Sequence, residues 1–155
     1  MAPEHQYCTF YVGGHYFGLE VLHVQEIIRY QEMTRVPLAP PVVRGLINLR
    51  GQIVTAIDLR RRLELGDRPP DDLPLNVVVR TDDGAVSLLV DEIGDVLEVP
   101  EKLFERPPET LKAMARQLIR GAYKLKDRLL LILDAERTVD VSGQNDISST
   151  HATTR

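Results

Sequence analysis

GLINLRGQIVTAIDL, residues 45–59, has the pattern of a complete β-hairpin. Two arms rich in apolar residues flank a tip with the sequence NLRG, residues 48–51. Arg50 and Gly51 lie where a two-residue turn needs the positive φ that glycine tolerates. Asp58 follows the second arm and can accept hydrogen bonds from the first turn of a short helix. The stretch therefore predicts a strand, a tight turn, a second strand and a capped helix in succession.

A later part of the chain resembles this hairpin. Residues 45–52, GLINLRGQ, align without gaps on residues 121–128, GAYKLKDR, and an apolar strand follows in both places. The identical pairs are Gly45 and Gly121, Leu49 and Leu125, Asp58 and Asp134, and Arg61 and Arg137. Two related hairpins, each followed by an Asp that can cap a short helix, predict two similar β units in one chain.

The composition is that of an ordinary soluble protein without a strongly cationic surface. The 155 residues are 43% hydrophobic and 27% charged, with a net charge of −4 and no Trp. This balance disfavours nucleic acid and anionic membranes as partners. Cys8 is the single cysteine, which excludes an internal disulfide and a cysteine zinc site. The chain lacks a leader pattern and any apolar run of about 18 residues, so we predict a cytoplasmic protein that does not insert into a membrane.

Short strands separated by turn signals predict an all-β fold. About ten such strands are recognisable, with almost no long amphipathic helix, which is typical of a barrel or sandwich. The polar, proline-broken segment DRPPDDLP, residues 67–74, divides the chain. We predict a five-stranded barrel from residues 7–66 and a second from residues 75–139, with strand exchange between the halves left open. Residues 1–6 and 140–155 are predicted to be disordered ends.

Helical structure is predicted to be sparse. Apolar residues at spacings of three and four within residues 20–28 indicate a short helix or helical turn before a brief strand. Asp58 can cap a helix over residues 59–65, with Gly66 as its stop. Asp134 can begin a final short helix in the same way.

The sequence carries no recognisable catalytic set. His5, His15, His23 and His151 have no ligand partner at a metal-binding spacing and are interpreted as surface or partly buried side chains. Cys8 alternates with apolar residues and is interpreted as a core thiol. We therefore predict no enzymatic activity, no metal and no cofactor.

The arginines of the chain have ordinary interpretations as long as residue physics alone is considered. Arg60, Arg61 and Arg62 are consecutive, and consecutive helical residues point about 100° apart, so they form no dense patch. We interpret them as a solvated helix face. Arg50 at an exposed hairpin tip is likewise more often a solvated charge than a recognition residue.

Several motifs together resemble the CheW family, the adaptors that couple bacterial chemoreceptors to the histidine kinase CheA. They occur in the family's order and cover the chain from about residue 7 to residue 139: FGL at 17–19, VQEI at 24–27, RVP at 35–37, GLINLRG at 45–51, IDLR at 57–60, VDEI at 90–93, DV at 95–96, Gly121, and LLILD at 130–134. NLRG followed by IDLR is the most specific part. Thr55 departs from the family, which often has proline there, and this affects strand detail while leaving the NLRG motif intact.

The resemblance implies a fold, a role and a site. The implied fold is two packed five-stranded SH3-like β-barrels with a few short helices, and the implied role is a non-catalytic scaffold in chemosensory arrays at the membrane. The implied partners are the cytoplasmic tip of a chemoreceptor, held in a groove between the barrels, and the regulatory domain of CheA. Glu26 and Arg50 match family residues implicated in a salt bridge that supports receptor coupling. Asn48 and Gly51 belong to the same coupling motif.

Two alternatives are kept at this point. A small-barrel nucleic-acid-binding protein is a different class, and the acidic balance and the absence of a basic strand with interleaved aromatic residues argue against it. A CheW-like module of a paralogous motility pathway stays within the favoured class. The start at Met1 and the polar tail favour a free-standing adaptor over a piece of a larger kinase.

Overall fold

The computed structural model describes residues 4–141. The strands are β1 Glu4–Val12, β2 His15–Glu20, β3 Val24–Ile28, β4 Val43–Leu49, β5 Gln52–Asp58, β6 Leu75–Thr81, β7 Gly84–Val90, β8 Glu92–Pro100, β9 Ile119–Lys124 and β10 Leu129–Leu133. The helices are α1 Leu59–Arg62, α2 Ala113–Leu118 and α3 Ala135–Val139. The disorder predicted for residues 1–3 and 142–155 lies outside the described part of the chain.

The strands form two five-stranded sheets, and the all-β prediction is confirmed. One sheet has the order β8-β1-β2-β10-β9, and the other has the order β3-β6-β7-β5-β4. We call the SH3-like barrel built on the first sheet barrel 1 and the one built on the second barrel 2. Between residues 4 and 141, no helix is long and apolar enough to cross a membrane.

The barrels do not follow the two halves predicted from the sequence. Barrel 2 is one continuous segment, residues 24–90, whereas barrel 1 combines β1 and β2 with β8, β9 and β10. The proline-rich segment 67–74 therefore lies inside barrel 2, as the loop between α1 and β6, and does not divide residues 7–66 from 75–139 into separate barrels. Its composition marks a surface loop, and a loop within a barrel has the same composition as one between barrels.

The N-terminal strand is longer than predicted. β1 begins at Glu4, and residues 4–6 pair with β8 through Glu4 opposite Pro100, His5 opposite Val99 and Gln6 opposite Glu98. No local sequence pattern predicts a strand at these polar residues, but their pairing with β8 holds them in the sheet. The prediction that residues 4–6 are disordered is therefore wrong.

The internal repeat predicted from the two hairpins corresponds to a shared topology. In each sheet an antiparallel hairpin joins a second antiparallel hairpin through a parallel pair, which is β2 with β10 in barrel 1 and β7 with β5 in barrel 2. Asp58 donates its backbone N–H to the carbonyl of Val42, and Asp134 donates its own to Leu118, at 2.8 Å in both cases. The two barrels are thus similar units built from interleaved parts of the chain.

The helices are short and are fixed at their first turns. The side chain of Asp58 accepts the N–H of Arg60, and that of Asp134 accepts the N–H of Arg137, so both predicted caps are present. Helix α1 stops at Arg62, three residues earlier than predicted, because Glu64 adopts a φ of 58°. The helical turn predicted within residues 20–28 is the 3-10 turn Val21–His23, which leads directly into β3.

Three apolar clusters form the core. One lies inside barrel 1 around Tyr7, Tyr123 and Ile132, and another lies inside barrel 2 around Ile47 and Val54. The largest cluster takes residues from both barrels: Phe10, Val12, Phe17, Leu19, Val42, Ile57, Leu59, Leu63, Val77, Val79, Leu88, Val90, Ala115, Leu118, Ile119, Ala122, Leu131, Leu133 and Ala135. The barrels are therefore joined by a shared apolar core rather than by a linker alone.

Candidate functional site

The NLRG motif forms the tight turn that the sequence predicts. Arg50 and Gly51 both have positive φ, 52° and 88°, as a two-residue hairpin turn of the primed type requires. Asn48 Oδ1 accepts the backbone N–H of Gly51 at 2.8 Å, and Leu49 is buried. Asn48 and Gly51 therefore build the turn, and Arg50 is the residue that the turn presents to solvent.

Glu26 and Arg50 meet, as the resemblance implied. Nη2 of Arg50 donates to Oε2 of Glu26 in an ion pair between β3 and the tip of the β4–β5 hairpin. The donors of Arg50 and Gln25 lower the pKa of Glu26 below its ordinary value, which keeps the carboxylate charged. Glu26 was expected at the end of a helix, but it lies within strand β3, opposite Val78.

The ion pair joins the two edge strands of barrel 2. β3 and β4 are at opposite ends of the sheet order, so the contact from Arg50 to Glu26 spans the gap where the curled sheet does not close by backbone hydrogen bonds. The side chain of Arg50 is 72% exposed, and that of Glu26 is 19% exposed. The pair therefore fixes the edge geometry while most of the guanidinium stays available.

The ion pair leaves donors of Arg50 unused. Arginine has five N–H donors, and the described contact uses Nη2 alone, so the remaining donors can form a forked pair with a carboxylate on a partner. Across residues 4–141 there is no group of three or more His, Cys, Asp or Glu side chains that could hold a metal ion.

An apolar surface next to the tip was not identified from the sequence. Ile53 lies opposite Asn48 in the hairpin and is 61% exposed. Both residues line a cavity of about 600 Å³ together with Met33 and Leu46. Alternation along a strand shows which residues share a face, but it does not show whether another segment covers that face.

The three consecutive arginines are not a solvated helix face, and that prediction is wrong for two of them. Arg60 donates to both carboxylate oxygens of Asp91 at 2.7–3.1 Å. Arg62 is buried and donates to the backbone carbonyls of Arg137, Thr138 and Asp140. The long-range partners come from the tertiary fold, which no local pattern reports.

Comparison with known proteins decides the family. A family model described as the CheW-like domain matches residues 6–142. The chain belongs to the CheW family. Chemotaxis protein CheW of Bacillus subtilis is 36% identical over 132 residues, which cover 85% of this chain and 85% of that protein. Chemotaxis protein CheW of Klebsiella aerogenes is 30% identical over 132 residues, which cover 85% of this chain and 80% of that protein.

A solved structure supports the same assignment at the level of the fold. The scaffolding protein TtCheW of Thermoanaerobacter tengcongensis has a TM-score of 0.80 and 26% identity to this chain, and the match covers 92% of both chains. The CheW family consists of scaffolds and adaptors rather than enzymes. These comparisons assign the chain to chemotaxis signalling as a coupling adaptor, and they do not favour the nucleic-acid-binding alternative.

Proposed function

We propose that this protein links the cytoplasmic tip of a chemoreceptor to the regulatory domain of the histidine kinase CheA within membrane-associated receptor arrays. The receptor tip binds in the groove between the barrels, next to the edge that carries Arg50. The observation that supports this most directly is the Arg50–Glu26 ion pair, which places a family motif in a fixed and exposed position.

The proposed receptor contact depends on the free donors of Arg50. Glu26 holds the guanidinium over the edge of β3, so the side chain loses less conformational freedom when it binds a receptor carboxylate. A positive charge without this partner would sample many orientations. We therefore assign Glu26 a positioning role and Arg50 a contact role.

The proposed kinase contacts use apolar surface on both barrels. Val96 in β8 of barrel 1 and Ile53 in β5 of barrel 2 are each 61% exposed. Exposed aliphatic side chains at two separate places fit an adaptor that binds a kinase domain on each side.

Charge reversal at the hairpin tip tests the proposal. Arg50→Glu places two carboxylates opposite each other, so we expect receptor affinity to fall by at least about tenfold, the effect of losing one charge-assisted hydrogen bond. Kinase binding should stay near that of the unmodified protein. Both affinities can be measured by pull-down and by surface plasmon resonance with purified receptor tips and CheA.

The reciprocal swap separates pairing from direct contact. Glu26→Arg alone should weaken receptor binding as Arg50→Glu does, and the double variant should recover part of the loss. Full recovery is not expected, because the swapped arginine presents its donors from β3 instead of from the tip.

Lys126 provides a matched control. It aligns with Arg50 in the internal repeat and lies exposed at the corresponding hairpin tip of barrel 1. Lys126→Glu should leave receptor binding unchanged. Normal receptor binding by folded Arg50→Glu, or equal losses in both variants, would contradict the assigned role of the motif.

A further inference from the structure

A second potential binding site lies away from the hairpin tip, in an open cavity of about 880 Å³. The segment between β3 and β4, helix α1 and the loop that follows α1 line the cavity. Its walls include apolar residues and several prolines, with Val36, Pro37 and Pro40 among the lining residues. The family motif NLRG does not line it.

Four arginines also line this cavity, and one aspartate accompanies them. The arginines are Arg35, Arg44, Arg61 and Arg68, and the aspartate is Asp67. The whole chain carries a net charge of −4, so the cavity has the opposite electrostatic character to the molecule around it.

The buried carboxylate of Asp58 lies close to three of these guanidinium groups. Asp58 is 1% exposed, and its oxygens lie 3.3 Å from Nη1 of Arg44, 3.9 Å from Nε of Arg61 and 3.7 Å from Nη1 of Arg68. Asp58 also accepts the backbone N–H that caps α1. Arg61 also pairs with Asp67 at 3.0 Å and Arg68 with Asp91 at 2.8 Å, whereas Asp58 is the carboxylate that all three arginines share.

Arg68 lines the cavity with a buried side chain whose hydrogen bonds are incomplete. Its side chain is 4% exposed, and Nη2 donates to Asp91 at 2.8 Å. Nη1 is buried and has no hydrogen-bond partner among the described residues. Asp91 in turn accepts three hydrogen bonds from Arg60. The charge of Arg68 is balanced by Asp58 and Asp91, but a buried donor without an acceptor, such as Nη1, is costly.

The charges around the cavity leave a positive surplus. The positive groups are Arg35, Arg44, Arg60, Arg61 and Arg68, and the negative groups are Asp58, Asp67, Asp72 and Asp91. The guanidiniums of Arg44 and Arg61 are more than one third exposed, so they can reach a ligand in the cavity.

We propose that this cavity binds an oxyanion, which is the carboxylate or phosphate group of a ligand, between Arg35, Arg44 and Arg61 and above the buried charge of Arg68. Guanidinium groups match the geometry of both oxyanions with parallel N–H···O bonds. The apolar wall of Val36, Pro37 and Pro40 accommodates the rest of the ligand. This site is separate from Arg50 and Glu26 and does not depend on the proposed coupling role.

The test is an NMR titration of the full-length protein with two probes, inorganic phosphate and succinate. Sodium chloride at matched ionic strength is the reference. We expect saturable shifts of the backbone amides that line the cavity, with little change at the hairpin tip. Saturation by phosphate alone assigns the site to phosphate groups, saturation by succinate alone assigns it to carboxylates, and either result supports the proposal.

Charge-neutralising variants locate the binding. Arg44→Gln and Arg61→Gln should each weaken probe affinity by at least about tenfold, as expected for a lost charge-assisted hydrogen bond. Arg35→Gln should weaken it as well, and this variant keeps the fold because Arg35 is exposed and has no ion pair within residues 4–141. Arg116→Gln removes the same charge from α2, outside the cavity, and should have no effect.

Several results would overturn the proposal. These are the absence of saturation with both probes, shifts that sodium chloride reproduces, and equal probe affinity in Arg35→Gln and Arg116→Gln. Arg35→Gln decides the question even if the variants at Arg44 and Arg61 fail to fold.

Discussion

Gly45 and Gly121 occupy equivalent positions in the two barrels. At each position a backbone carbonyl lies close to where the Cβ of any other residue would be. A Cβ on Gly121 would lie 2.5 Å from the carbonyl oxygen of Glu105, and one on Gly45 would lie 2.6 Å from that of Thr34. Leu46, which follows Gly45, forms an antiparallel bridge with Thr34. Ala122, which follows Gly121, forms one with Glu105. The absence of a side chain therefore lets a loop add one bridge to each edge strand.

Alanine substitutions at Gly121 and at Gly51 separate the effect of steric clash from the effect of backbone strain. Gly121→Ala should destabilise the protein by about 3 kcal/mol, in the upper part of the range for overpacked sites, because Phe104 and the Glu105 carbonyl both block the methyl group. Gly51→Ala should cost about 1 kcal/mol, because Gly51 has open space around it but a positive φ. Urea denaturation measures both, and equal losses would contradict the steric account.

The sequence predicts the role of a single residue when that role depends on residues close to it in the chain. The positive φ of Gly51 and the caps formed by Asp58 and Asp134 follow from local turn and helix chemistry. Arg60 depends on Asp91, 31 positions away, and Arg62 depends on backbone carbonyls 75 to 78 positions away. No periodicity distinguishes a buried arginine from a solvated one when three occur in a row.

The buried guanidinium of Arg62 ties the end of helix α3 to barrel 2, in addition to the apolar contacts of Ala135 and Val139. Arg62 donates to the carbonyls of Arg137, Thr138 and Asp140 at the end of this short helix. Val141 packs against the largest apolar cluster. Asp140 and Val141 were predicted to begin a disordered tail, but both contact the folded domain.

Truncation at two neighbouring positions tests this attachment. A chain that ends at Val139 loses the Asp140 acceptor and the apolar contact of Val141, so its free energy of unfolding should fall by about 1–2 kcal/mol. A chain that ends at Val141 keeps both contacts and is the control. Thermal denaturation followed by circular dichroism measures the difference, and identical melting temperatures would show that these contacts contribute nothing.

The two ends of the folded chain show that composition alone does not decide whether a segment is ordered. Polar residues at a chain end predict disorder, yet residues 4–6 pair with β8 and Asp140 accepts a bond from Arg62. Backbone groups at a chain end can form hydrogen bonds with any strand or donor that lies beside them. Here those partners, β8 and Arg62, are remote in sequence.

For the whole molecule, the number and type of barrels were predictable, but their division of the chain was not. Turn signals and the repeated hairpin indicate two small five-stranded units. The parallel pairs β2–β10 and β5–β7 join the two hairpins of each sheet, and β2–β10 joins segments more than 100 residues apart. Such pairing leaves no mark in local alternation, so the sequence predicts a boundary at residues 67–74, whereas the chain passes between the barrels at residues 21–23 and 91.

The shared core predicts that both barrels unfold together. Phe10 and Leu131 of barrel 1 belong to the same buried cluster as Val77 and Leu88 of barrel 2. Neither barrel can open without exposing this cluster to water. Amide hydrogen exchange should therefore give the same largest protection for β2 and β6, and a persistently protected single barrel would contradict the shared core.

Asp91 connects the barrels through polar contacts. It accepts the N–H of Gly13 in the β1–β2 turn at 2.8 Å and hydrogen bonds from Arg60 and Arg68. Burial disfavours the charged carboxylate, but the donors from Arg60, Gly13 and Arg68 outweigh it and hold the pKa below its ordinary value of 3.8. The carboxylate is thus charged and paired at neutral pH.

This lowered pKa predicts acid sensitivity of the whole fold. A group with a depressed folded pKa stabilises the protein above its unfolded value, and that stability is lost as pH falls from 3.8 through the folded value. Asp91→Asn should be less stable at neutral pH, because Arg60 and Arg68 lose their counter-ion. It should also lose less stability on acidification, because position 91 no longer takes up a proton. Asp82→Asn, in an exposed turn, is the control, and urea midpoints measured from pH 7 to pH 2.5 should show the flatter profile for Asp91→Asn alone. Parallel profiles for all three proteins would mean that the contacts of Asp91 do not couple protonation to the stability of the joined barrels.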